Sequence, residues 1–287
     1  KYMGDRAFYR HYLLLAVPMI LQNAITNLVS FLDNIMVGQL GTEQMSGVAI
    51  VNQLIFVYNL AIFGAVSAAS IFGAQYFGNG DHRGHMHSFR FKLYATLLVS
   101  GLTMLLLLTK GSDLISLYLT DAAGNGATDV ALQYGKQYLV IMLVGLVPFA
   151  VNQAYATNIK ETGQTLVPML ASFVAVGTNA VLDYLLIFGV GPFPELGVTG
   201  AALATVIARY VEAVIVVLWA HRNREKNRYL EGAYRGFGIP VSELKTILIK
   251  GLPLMFNEVL WAAGMTTVTQ CYSVRGLDVV AGLNIAT

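Results

Sequence analysis

Carboxylates interrupt long apolar stretches of this chain, among them Asp33, Asp183 and Glu258. Each would cost roughly 3 kcal/mol if left in hydrocarbon, so each must face water, a cation or a partner. Asp33 belongs to a series, Gln22, Asn23, Thr26, Asn27, Ser30, Asp33 and Asn34, that recurs at three- and four-residue steps and so lies on one helix face. Ser and Thr alone on that face would read as interhelical hydrogen bonding. A carboxylate and three Asn side chains exceed what packing needs, and they predict a lined, wet cavity. Asp183 follows Asn179 by four residues, so the amide and the carboxylate point the same way and can share a ligand. Asp33 and Asp183 stand five and six residues before the glycines that end their runs, and Thr205 falls at a comparable depth. Two carboxylates close together in a partly dry pocket suit exchange of one monovalent cation for another, a proton included. The competing reading is an occluded core in which both merely hydrogen-bond backbone or Asn groups.

These residues need membrane-spanning helices to hold them. Of the 287 residues, 56% are apolar and only 12% charged, about half the charged fraction of a soluble domain. Mean hydropathy is +0.61, and the apolar runs reach about 20 residues or more, enough to cross a hydrocarbon core as helices. The composition implies an all-α polytopic membrane protein and argues against a soluble enzyme. The net charge of +2 comes without a separate basic domain, so no nucleic-acid partner is expected. Seven spans are predicted, over 11–38, 46–77, 90–109, 130–157, 165–189, 198–221 and 245–272, with a possible eighth opening near Asp278. Pro18, Pro148, Pro168 and Pro253 fall inside them, where they can bend helices. The single cysteine, Cys271, excludes an intrachain disulfide. His82, His85 and His87 read as loop histidines without nearby paired carboxylates, not as metal ligands. Arg209 and Glu212, three apart within a span, read as a pair that satisfies itself.

Alternate gaps between spans hold fourteen Lys and Arg residues against two, Lys110 and Arg275, on the opposite side. By the positive-inside rule, the amino terminus and the gap after the sixth span are cytoplasmic. Sliding the chain against itself by 235 residues aligns Pro18 with Pro253, Gln22-Asn23 with Asn257-Glu258, Gly41 with Gly276 and Gly47 with Gly282. Six spans lie between the matched prolines, so the second copy enters the membrane in the same direction as the first. The expected architecture is a six-helix bundle, the first of two parallel repeats, followed by the first helix of the second. Residues 1–222 form the first lobe, 223–244 a cytoplasmic linker and 245–287 the start of a second lobe, in a protein of roughly 450 to 470 residues. Asn257 and Glu258, and Asn27 and Gln22 on the first span, are expected to serve substrate or coupling.

The stretch from Phe31 through Asp33-Asn34-Ile35-Met36-Val37-Gly38 to Gly41 resembles the first-helix signature of multidrug and toxic compound extrusion (MATE) transporters. So do Gly163 with Pro168, the run Asn179 to Tyr184, and the run Gly197 to Thr205. The resemblance extends from about Tyr12 to Thr287 and implies twelve helices in two lobes, with drug or metabolite export by antiport against H⁺ or Na⁺. It also implies an amino-lobe cation site at Asp33, Asn179, Asp183 and Thr205, and it matches Glu258 to an acidic position on the seventh helix. No other cofactor is implied. The expected protein is a monomeric, multi-pass transporter of the bacterial inner membrane, exporting amphipathic or cationic small molecules. A lipid-linked saccharide flippase of related architecture is the alternative, disfavoured because few cationic residues line the spans. An intramembrane enzyme is disfavoured because the spans hold no HExxH, GxSxG or DDxxD arrangement.

Overall fold

The structure, a computed structural model, describes residues 6–119, 127–235, 238–273, 275 and 279. Among these every regular element is helical: α1 Arg6–Gly38, α2 Thr42–Gly78, α3 His82–Ser116, α4 Ala127–Val144, α5 Leu146–Glu161, α6 Leu166–Phe188, α7 Val198–Arg222 and α8 Val241–Ser273, with a 3-10 turn at Arg228–Leu230. Among the described residues five helices, α1, α2, α3, α6 and α7, are long and apolar enough to cross a membrane, and α4 with α5 makes a sixth, bent by 45°. The chain is therefore a multi-pass membrane protein. α8 covers the seventh expected span as one helix. The possible eighth span near Asp278 and the turn at 124–126 lie outside the described residues.

The helices pack as α6 on α7, α2 on α3 and α4, α1 along α6, and α8 against α2. Small residues set the closest approaches, as expected where no hydrophobic force drives helices together in lipid. A methyl group at Gly47 of α2 would run into the Ala131 carbonyl of α4, and one at Gly200 of α7 would lie 2.6 Å from the Leu186 carbonyl of α6. The core between them is built from residues such as Ile50, Ile62, Leu146 and Ile187.

The expected span at 130–157 is broken. Pro148 has no N–H to offer the carbonyl four residues earlier, so the helical ladder lapses between α4 and α5. A break at this depth needs polar partners for its backbone. Tyr58 supplies one, its hydroxyl donating to the Leu146 carbonyl at 2.8 Å and contacting Ser100 Oγ at 2.8 Å. Arg209 supplies another, with Nη1 3.4 Å from the Gly145 carbonyl.

The predicted repeat reappears in the helices themselves. α1 and α8 are both 33 residues long, each with one internal proline, and their first residues, prolines and last residues all differ by the same 235 positions. α3 starts eight residues before its predicted span because Asp81 caps it, accepting from the Arg83 and Gly84 amides at 3.1 and 2.9 Å. This places His82, His85 and His87 on a helix and not in a loop, and two of them meet carboxylates. His85 Nε2 lies 3.2 Å from Glu161, which also takes Lys92, and His87 Nδ1 lies 2.8 Å from Glu243.

Candidate cation site

α1, α6, α4 and α7 converge on one polar cluster. Asp33 from α1 and Asp183 from α6 face one another, and Asn179, one turn before Asp183, lies beside its carboxylate. The four-residue spacing that put Asn179 and Asp183 on one face is realised with both side chains buried, at 5% and 0% exposure. Tyr138 from α4 lies beside Thr205 of α7 and within electrostatic reach of both aspartates, and its hydroxyl donates to Asn52 Oδ1 of α2 at 3.2 Å. Four residues expected to form the site, Asp33, Asn179, Asp183 and Thr205, are thus drawn to one place.

The electrostatics of this place are unbalanced. Neither carboxylate oxygen of Asp183 has a hydrogen-bond partner among the described residues, and Asn179 Nδ2 lacks one too. Buried polar atoms are rarely left so, and a buried carboxylate without compensation is costly. Asn179 and Asp33 stand beside the Asp183 carboxylate, but neither closes a well-formed hydrogen bond to it. Arg209, one turn beyond Thr205, does not pair with them; its guanidinium sits 5.1 Å over the Phe149 ring and reaches Gly145. It does not close an ion pair with Glu212 among the described residues either, contrary to expectation.

Glu212 belongs to a separate chain of polar groups. Gln22 Nε2 donates to Ser172 Oγ at 2.6 Å, and Ser172 donates to Glu212 Oε1 at 2.5 Å, with Asn152, Lys160 and Arg209 around the carboxylate. Gln22 stands eleven residues before Asp33, roughly 16 Å away along α1, so the predicted polar face of α1 serves two sites. Asn27 and Asn257 are exposed on α1 and α8. Glu258 lies on α8, and its side chain is outside the described residues.

Tyr138, Asn52 and Ser172 escaped the sequence reading. An amide within an apolar run could have flagged Asn52. Nothing in sequence separates Tyr138 from aromatics that only pack, as Tyr184 does against Phe188 at 6.0 Å.

A multi-pass helical bundle with two carboxylates brought together inside it defines a polytopic membrane protein with a charged cluster in its interior. The MatE family model matches residues 18–185, and the chain belongs to that family. It is 27% identical over 273 residues to a Thermotoga maritima protein named "Probable multidrug resistance protein NorM", covering 94% of this chain and 56% of the relative. A Rhizobium meliloti protein of the same name is 30% identical over 224 residues, covering 77% of this chain and 46% of that one. The chain therefore spans about half the length of these relatives. Among solved structures, the outward-facing conformation of a multidrug resistance MATE family transporter superposes with a TM-score of 0.77 at 22% identity, covering 94% of this chain and 58% of that one. An inward-facing MATE transporter gives 0.74 at 24% identity, covering 96% and 60%.

Proposed function

We propose that this chain supplies the cation-coupled lobe of an antiporter that exports amphipathic or cationic small molecules. Residues 1–222 form that lobe, 223–244 a cytoplasmic linker and 245–287 the opening of a second lobe, in a protein whose amino terminus faces the cytoplasm of a bacterial inner membrane. The carrying observation is the Asp183 carboxylate, buried and unpartnered beside Asp33. Such a pair is stable only with positive charge between its members, and H⁺ and Na⁺ both meet that need.

Asp33 and Asp183 hold the coupling ion, Asn179 and Thr205 offer it neutral oxygens, and Tyr138 fixes the wall between α4 and α7. With the ion bound, α1 is drawn to α6; without it, repulsion between the carboxylates favours a looser lobe. An exported compound that prefers one of these arrangements is released when the ion imposes the other, which is all that coupling requires. The relatives' names support a multidrug substrate range.

Asp33→Asn in the full-length protein is expected to abolish drug resistance of expressing cells while leaving its membrane level intact. Retained resistance would defeat the assignment. Efflux from proteoliposomes under separately imposed proton and sodium gradients identifies the ion.

A further inference from the structure

The segment after α7 carries a device that the transport reading does not use. Arg90, buried on α3, donates through Nε to the Ala233 carbonyl at 2.8 Å, through Nη1 to Gly238 at 2.8 Å, and through Nη2 to Gly232 at 2.7 Å and Arg235 at 3.4 Å. One guanidinium thus gathers the carbonyls of Gly232, Ala233, Arg235 and Gly238. Tyr234 is fixed separately: its hydroxyl bonds Tyr155 of α5, and its ring stacks on His221 at 5.8 Å and 13°. His221 Nδ1 meets the Val217 carbonyl at 2.9 Å and so carries a proton, leaving Nε2 toward the Tyr234 hydroxyl at 3.4 Å.

The outer side of this braced loop is a cavity of about 350 Å³ whose walls include His221, Arg224, Tyr234 and Arg235, with Glu231 as the acidic member. Arg224 and Arg235 are exposed and close no ion pair among the described residues. The cavity begins at the last turn of α7, which ends at Arg222, so it lies where a membrane-crossing helix leaves the hydrocarbon. Two guanidiniums lining one cavity, beside a tyrosine hydroxyl, suit a phosphate better than a carboxylate of one charge, because each guanidinium can bond phosphate oxygens in a fork. Basic pockets at this level of a membrane protein meet anionic headgroups directly.

We propose that this cavity binds a phosphate group, carried by an anionic lipid headgroup, through Arg224 and Arg235. The site is independent of the aspartate pair.

Native mass spectrometry of the full-length protein in detergent, titrated with phosphatidylglycerol or phosphatidylcholine, tests it. Wild-type protein is expected to retain phosphatidylglycerol at least several-fold better than Arg224→Gln/Arg235→Gln. A control with the same charge change outside the cavity, Arg222→Gln/Lys226→Gln, should bind as wild type, and phosphatidylcholine retention should be equal in all three. Equal phosphatidylglycerol retention by the cavity variant and wild type, or equal losses in the cavity and control variants, overturns the proposal. Displacement of the lipid by millimolar glycerol phosphate, itself retained, keeps the phosphate site but makes a soluble phosphate its ligand. Should the double variant fail to fold, Arg224→Lys/Arg235→Lys takes its place; it keeps the charge and removes the fork, and undiminished retention then overturns the proposal.

Discussion

Asp183 is the residue on which the bundle spends stability. A neutral amide in its place removes the repulsion from Asp33 and can donate to it. Asp183→Asn in the full-length protein, kept free of sodium at neutral pH, is therefore expected to unfold at the same temperature as wild type or higher, while transport is lost. A clearly lower thermal midpoint would mean that the carboxylate is satisfied where it stands. Ser172 is the opposite case, because it links Gln22 to Glu212. Ser172→Ala strips a donor from a confined carboxylate and should cost about 1–3 kcal/mol, read as a lowered midpoint of thermal unfolding. The carboxylates were legible in the sequence because a charge within twenty apolar residues has few explanations. The division of the α1 polar face between two sites was not, since a helical stripe fixes direction around the axis but not which neighbour lies at each height.

At the scale of elements, apolar runs gave away the spans, while their ends and interruptions depended on partners distant in the chain. α3 extends to His82 because Asp81 caps it and because His85 and His87, in the added turns, meet Glu161 and Glu243 from distant parts of the chain. The lapse at Gly145 could be suspected from Pro148, but its tolerance depends on Tyr58 and Arg209 arriving from α2 and α7. Tyr58→Phe leaves the Leu146 carbonyl without its donor and is expected to destabilise by about 1–3 kcal/mol, measurable as an earlier melt. Helix contact makes a sharper demand at Gly47, where any side chain meets the Ala131 carbonyl. Gly47→Val should abolish recovery of folded protein from membranes, whereas Gly101→Val, at a position with nothing within 4 Å, should be recovered normally.

Across the whole molecule, the shared length and proline placement of α1 and α8 show one helical plan used twice at a constant spacing. The two charged regions differ in kind: the aspartate pair is left to be completed from outside, whereas on the basic side, Arg224 and Arg235 apart, the buried cations find partners within the chain. Arg90 is the largest instance, and Arg90→Ala should release the carbonyls of Gly232, Ala233, Arg235 and Gly238, seen as faster tryptic cleavage at Arg235 in the folded protein. Gly73 is the smallest. The place its side chain would take is filled by the Glu161 carboxylate, with Ser88 Oγ 3.0 Å from the same point, and Glu161 is the counter-ion of both Lys92 and His85. A residue without charge or donor thus bears on an ion pair between two other helices: a side chain at position 73 has to push the Glu161 carboxylate aside, so a steric change there is also a change in the charge that faces Lys92.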